Sequence, residues 1–144
     1  MKKQNKMNKE SFLREFMDEV WNKKKLEKIE QYVHNEYTIH LDPGDPWEGK
    51  TLSHSEFKNR MELGSFEPFP DMNFEITFAI EEESCMAVTW ILTGTNLGQI
   101  GEYPPTKKAI NIKGITIYHF KDNLINGHTQ IFDRKTVMKQ LGVI

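Results

Sequence analysis

The chain has 144 residues, a formal net charge of -2, 38% hydrophobic and 28% charged residues. That is enough apolar material for one ordinary domain over residues 1–144, and it excludes a disordered chain. The near-balanced charge argues against a nucleic-acid partner, and no apolar run reaches the roughly 20 residues of a membrane-spanning helix.

At the start, Lys2, Lys3, Lys6 and Lys9 make a locally basic stretch, and residues 1–7 read as a flexible, solvated tail. Asn8, Lys9 and Glu10 follow where a secretory signal needs an apolar core, so the expected location is the cytoplasm. The single cysteine, Cys85, has no partner for an internal disulfide and supplies no thiolate cluster; it reads as a small core or edge residue.

From Asn8 to Asn22, Phe12, Leu13, Phe16, Met17, Val20 and Trp21 recur at spacings of three and four, the stripe of an amphipathic helix with Asn8 as N-cap. A shorter second helix should hold Leu26, Ile29 and Val33. Residues Tyr37 to Leu41 alternate β-branched and aromatic side chains and predict a strand. Two Pro and two Gly between Asp42 and Gly49 predict a loop. Ser53 and Glu56 have the spacing of a capping box, which opens a helix with Phe57 and Met61 on one face and an end at Gly64. Residues Phe66 to Asp71 break the chain again.

Four strands are predicted next, over Met72 to Glu83, Met86 to Leu97, Lys108 to Lys121 and Leu124 to Phe132. Asp122-Asn123 reads as the tight turn between the last two. Asn126-Gly127 reads as a bulge, because a turn there leaves the last strand too short. A terminal helix starts near Asp133, uses Val137, Met138 and Leu141, and ends at Gly142. Within the strands, Val88, Trp90, Leu92 and Gly94 share one parity, with Gly94 open to a close approach by a ligand or backbone. Thr89, Ile91 and Thr93, together with Thr116, Tyr118 and Phe120, are expected on the opposite, outer face.

The order of motifs resembles the SnoaL-like polyketide cyclase (ester cyclase) branch of the NTF2-like superfamily. Pro46-Trp47-Glu48-Gly49, a helix, and Phe69-Pro70-Asp71-Met72-Asn73-Phe74-Glu75-Ile76 are similar to that family's "EG … helix … FPDLxFEI" run. Val88 to Thr95 resembles its "VxxxxLTGT" strand, and Tyr103 to Lys108 its "PPTGK" turn. Gly114 to Phe120, Phe132-Asp133-Arg134 and Gln140-Leu141-Gly142 resemble its closing motifs. The resemblance implies an α+β fold, an NTF2-like (cystatin-like) cone in which a curved antiparallel sheet wraps around N-terminal helices and an apolar pocket. It also implies a homodimer paired through the outer sheet face.

By the same resemblance Asp133 occupies the place of the family's acid/base aspartate, and His119, fourteen residues earlier, that of a histidine in the same pocket. The implied chemistry is an intramolecular aldol-type ring closure, or a related isomerisation, of a small hydrophobic carbonyl compound. One carboxyl group can shuttle the proton, and no metal, Schiff base or other cofactor is needed. The residues themselves leave another reading of Asp133 open: an aspartate directly before a helical stripe is an N-cap, and a helix N-terminus favours its ionised, weakly basic form. His119 also fits a solvated position near a hairpin. His40, on the strand before the Pro-rich loop, is a candidate for the pocket mouth, and Trp47, Phe57, Met61, Phe66, Phe69 and Trp90 are the candidates for substrate contact, each with core packing as the rival role. His54 falls inside the capping box and should be exposed; His34 and His128 have no companion in sequence. No metal-ligand motif, dinucleotide fingerprint or phosphate loop is present. Three readings follow: a cyclase or isomerase-like (formally lyase-like) catalyst, a non-catalytic dimeric protein that binds a small apolar ligand, and an interaction domain whose cone is filled.

Overall fold

The computed structural model describes residues 7–144, so the expected basic tail lies outside the described residues except for Met7. Helix α1, Lys9–Phe16, begins where Asn8 accepts a hydrogen bond from the Ser11 amide at 3.0 Å. It continues as a wider π-helical segment, Met17–Asn22, closed by the Lys23 amide donating to the Asp18 carbonyl. The stripe read from sequence is therefore buried through Leu13, Phe16, Met17 and Val20, but its last turn is not α-helical.

A 3-10 turn, Leu26–Lys28, leads into α2, Ile29–Tyr32. Val33, expected in this helix, already has extended backbone and opens β1, Val33–Leu41, where it pairs with Ile125. A two-residue strand, β2 (Thr51–Leu52), lies against β1 and has too few residues to show alternation in sequence. The capping box forms as read: Ser53 Oγ accepts from the Glu56 amide, and Glu56 accepts from the Ser53 amide, at the start of α3, His54–Met61. The helix does not stop at Gly64. It runs on as a π-helical segment, Glu62–Phe66, with the Glu67 amide still donating to the Glu62 carbonyl; Pro68, which has no amide proton, ends the run.

Strands β3 (Asn73–Glu81), β4 (Cys85–Thr95), β5 (Ala109–Lys121) and β6 (Leu124–Phe132) form an antiparallel meander. The full sheet has the order β2-β1-β6-β5-β4-β3 and is curved and unclosed. It is not wholly antiparallel, because β1 runs parallel to β6. Helix α4, Arg134–Leu141, closes the described chain and ends at Gly142, whose φ of 75° is the left-handed conformation of a C-cap. Among the described residues no helix is long and apolar enough to cross a membrane.

Two local devices in β5 and β6 decide which side chains point inward. Asp122 and Asn123 have φ of 53° and 61°, as a tight hairpin turn with both central residues left-handed requires. The register then slips: Phe120 pairs with Ile125 but His119 pairs with Gly127, so Asn126 is an extra, bulged residue. The slip reverses the parity of β6. Ile125 before it and His128 after it both face the core.

Directly paired residues share a face of the sheet. Thr116 pairs with Val88 and Tyr118 with Met86, so both belong to the inner face, contrary to the outward placement expected from sequence. Phe120 also turns in, toward Phe12 of α1, with ring centres 6.4 Å apart. The outer parity of β5 is Ile115, Ile117 and His119, which join Thr89, Ile91 and Thr93 of β4. Cys85 opens β4 on that outer parity, partly exposed and opposite His119. Phe78, Ile80, Ile115 and Ile131 of the sheet are exposed.

Gly94 admits protein, since its Cβ position is bounded at 3.4 Å by Phe69 and Met72. Gly114 is more constrained. It stands directly across from Trp90, and a Cβ there would lie 2.3 Å from the indole. Gly114→Ala is expected to destabilise the fold by about 1–3 kcal/mol through forced displacement of Trp90, read from urea denaturation midpoints.

Candidate functional site

The Pro/Gly-rich loop after β1 folds tightly, with the Asp45 amide donating to the Asp42 carbonyl and the Gly49 amide to the Ile39 carbonyl. That turn carries the Asp42 side chain inward until it is only 1% exposed. A carboxylate removed from water needs strong donors. Oδ1 accepts from Arg134 Nη2 of α4 at 2.7 Å. Oδ2 accepts from His128 Nε2 at 2.9 Å, Gln130 Nε2 at 3.2 Å and Arg60 Nη2 of α3 at 3.3 Å. Arg60 also holds Asp45 through Nη2 and Nε at 2.7 and 3.2 Å, so two aspartates face two guanidinium groups.

Burial alone would raise the proton affinity of Asp42, but the His128 hydrogen bond and the Arg134 cation outweigh it and hold the carboxyl below its usual range. His128 shifts the other way for a cation. Burial, reinforced by Arg60, depresses its pKa against the upward pull of Asp42. A neutral imidazole that donates from Nε2 to a carboxylate must accept at Nδ1, and the Tyr37 hydroxyl lies 2.5 Å from Nδ1. Tyr37 is kept protonated by burial, which lifts its pKa well above the ordinary value. The result is an ordered line of donors, Tyr37 to His128 to Asp42. On the other side of Asp42, Trp90 Nε1 donates to Thr116 Oγ1, Thr116 to Gln130 Oε1, both at 2.8 Å, and Gln130 to Asp42.

Tyr37, His128, Trp90 and Gln130 of this network reach the wall of a cavity of about 280 Å³ between the inner face of the sheet and the helices, with Asp42 and Thr116 behind them. Tyr37, Asp45, Arg60, Ser65, Tyr118, His128, Gln130 and Arg134 supply its polar groups. Trp21, Phe57, Phe69, Phe74, Trp90 and Phe132 supply most of its aromatic surface. Trp90 meets Phe74 and Phe132 edge-on, with ring centres 5.2 and 5.7 Å apart, and Arg134 lies 4.4 Å over the Phe132 ring.

Asp133 and His119 are not among the cavity-lining residues, and they do not meet each other. Asp133 is exposed and caps α4, accepting from the Thr136 amide at 3.1 Å and the Thr136 hydroxyl at 2.8 Å; these bonds lower its pKa and weaken it as a base. Its neighbours Phe132 and Arg134 face the cavity instead. His119 lies on the outer parity of β5, its Nε2 3.2 Å from Thr129 Oγ1 and its ring against that of His40. His40 is therefore also outside.

Of the aromatic candidates, Phe57, Phe69 and Trp90 are in the wall. Met61 is wholly buried in the core, Phe66 packs edge-on against Trp21, and Trp47 is half-buried on the loop under the Lys50 ammonium. His54 is not exposed as expected but half-buried, with Nε2 2.6 Å from the Val33 carbonyl. His34 and His128 both have companions: Asp122 at 3.6 Å for the first, Tyr37 and Asp42 for the second. Asp42 and His128 are 86 positions apart in sequence and Asp42 and Arg134 are 92, so no local spacing reveals the cluster. Its one legible trace is the bulge at Asn126, which sets the phase of His128, Gln130 and Phe132. Among the described residues no group of three or more His, Cys, Asp or Glu is placed to hold a metal ion.

The family description "SnoaL-like polyketide cyclase" matches residues 11–141. A solved structure from Acidithiobacillus ferrooxidans, assigned as a polyketide cyclase, is 34% identical, with a TM-score of 0.87 over 98% of this chain and 99% of that one. TsrD from Streptomyces laurentii shares the fold at 16% identity, with a TM-score of 0.79 over 99% of this chain and 100% of that one. A SnoaL-like polyketide cyclase from Agrobacterium tumefaciens does so at 15% identity, with a TM-score of 0.76 over 95% and 100%. No curated protein matches the chain.

Asp42→Ala should cost about 3 kcal/mol of stability in chemical denaturation, because Arg134 and His128 then lose the carboxylate that accepts from them and Arg60 keeps only Asp45. The depressed His128 and His119 bind protons more readily unfolded than folded. Stability should therefore fall as pH drops below about 6.5, the unfolded histidine value, toward their lower folded values. Asp42, depressed as a carboxylate, keeps its contribution through that window and loses it only when pH falls below the usual carboxylate range. Denaturation midpoints at pH 7 and pH 5 should show the drop, with a shallower slope in His128→Gln.

Proposed function

The chain belongs to the SnoaL-like polyketide cyclase family, and from that membership we propose that it catalyses cofactor-independent proton transfer on a small hydrophobic carbonyl compound, closing a ring by an intramolecular aldol-type step or carrying out a related isomerisation. The observation that carries this reading is the buried Tyr37–His128–Asp42 line opening on an aromatic cavity.

In this reading the acid/base group is His128 acting through Tyr37, with Asp42 as a positioning residue behind it. A C–H flanked by carbonyls gives its proton to the Tyr37 oxygen as the Tyr37 proton passes to His128 Nδ1. The imidazolium is stabilised by Asp42, and the substrate is left as an enolate. The enolate carbon attacks a second carbonyl of the same molecule, forming the new C–C bond. The resulting alkoxide takes a proton from Tyr37 while Nδ1 returns its own. Proton transfer of this kind contributes about 10²–10⁴-fold. The hydrogen bonds of Arg60 and Arg134 within the described residues run from Nε and Nη2, leaving Nη1 of each for an enolate or alkoxide oxygen. The aromatic walls hold a flexible substrate folded, which shortens the search for the reactive geometry.

Solvent-deuterium exchange into the methylene of benzoylacetone, followed by NMR, tests the proposal. Wild type should accelerate exchange over buffer, His128→Asn should lose the acceleration, and Asp133→Asn should keep it. Equal rates in wild type and His128→Asn would overturn the assignment. A ligand-induced rise in melting temperature without any acceleration would favour the non-catalytic binding reading. The proposal also has the chain acting as a homodimer through the outer face that exposes Phe78, Ile80, Ile115 and Ile131. Light scattering at micromolar concentration should give twice the 16.9 kDa chain mass.

A further inference from the structure

The outer face of the sheet carries a pair of histidines that the cavity does not use. His40, near the end of β1, is exposed, and His119, near the end of β5, is half-buried. Strand β6 runs between theirs and places Gly127 there, paired with His119 on one side and with Thr38 on the other. With no side chain on Gly127, the two imidazoles meet across the gap, ring centres 4.8 Å apart and planes tilted by 67°. A Cβ at Gly127 would lie 3.2 Å from His40 Nε2 and 2.5 Å from the Thr38 carbonyl oxygen.

The surroundings suit ligation. Thr129 Oγ1 lies 3.2 Å from His119 Nε2, which orients the ring and leaves Nδ1 available, the arrangement by which an outer hydrogen bond fixes a ligating histidine. The spacing fits too. With imidazole nitrogens about 2.0–2.1 Å from a zinc ion, two rings on one metal at a near-tetrahedral angle have centres about 5 Å apart.

We propose that His40 and His119 form a two-histidine site on the outer sheet face for a borderline divalent transition-metal ion, Zn²⁺, Ni²⁺ or Cu²⁺, with water in the remaining coordination positions. This site is separate from the cavity and does not depend on the chemistry proposed there.

Titration of the whole chain with Cu²⁺, followed by histidine ring signals in proton NMR, tests it. His40 and His119 should broaden first, and electron paramagnetic resonance should show coupling to two imidazole nitrogens. His40→Gln and His119→Gln should each abolish the tight binding phase while leaving the benzoylacetone response of the protein intact. Broadening that starts at His34 or His54, or wild-type affinity in either single variant, would overturn the site.

Discussion

A carboxylate taken out of water must be surrounded by donors, and Asp42 finds its donors on three separate elements: β6, α3 and α4. The rest of the site depends on that requirement. The loop after β1 can bury its aspartate only if Arg60 of α3 and Arg134 of α4 reach it, so the two helices and the loop are tied at one point. Gly44 makes room for this, since a Cβ at that position would stand 2.6 Å from the Arg134 side chain. Two aspartates face two arginines there, and burial, reinforced by Arg60, favours the neutral form of His128 beside them. A neutral, oriented imidazole next to a carboxylate is a usable proton carrier at neutral pH.

The same constraint gives the cavity its polarity. Hydrogen-bonding groups are concentrated on the wall made by β1, β6 and the ends of α3 and α4, while aromatic rings dominate elsewhere. Trp90 joins the two regions. Its indole nitrogen belongs to the chain of bonds that reaches Asp42 through Thr116 and Gln130, and its ring lies in the apolar wall over Gly114. A shift of this indole would therefore disturb both the shape of the hollow and the donors around the buried charge.

Asp133 shows how a family motif and the local physics can separate. It has the sequence context of an acid/base, yet the first turn of α4 draws its carboxylate onto the Thr136 amide and hydroxyl, leaving it exposed with a lowered proton affinity. The residues that enter the hollow are its neighbours on either side, Phe132 and Arg134, because the strand ends and the helix begins at that point. A one-residue difference in direction moves the proposed proton chemistry from the helix cap to the strand histidine.

Much of the fold was legible in the residues themselves. The α1 stripe with its Asn8 cap, the Ser53/Glu56 box, the Asp122-Asn123 turn, the Asn126 bulge and the Gly142 stop are local signals, each set by hydrogen bonds or sterics within a few positions. Context overrides local preference at Val33, which joins a strand because Ile125 is there to pair with it. The candidate site was much less legible. Thr116 and Tyr118 face inward because Val88 and Met86 pair with them, and His128 faces inward because one bulged residue reverses the parity of β6. Asp42, in a segment that reads from sequence only as a Pro/Gly loop, is buried only because Arg60, His128, Gln130 and Arg134 converge on it from distant parts of the chain. Short-range periodicity determines which segments are helix or strand; which polar groups share a buried hollow is decided by packing, because the stability of a buried charge depends on partners that sequence order does not place beside it.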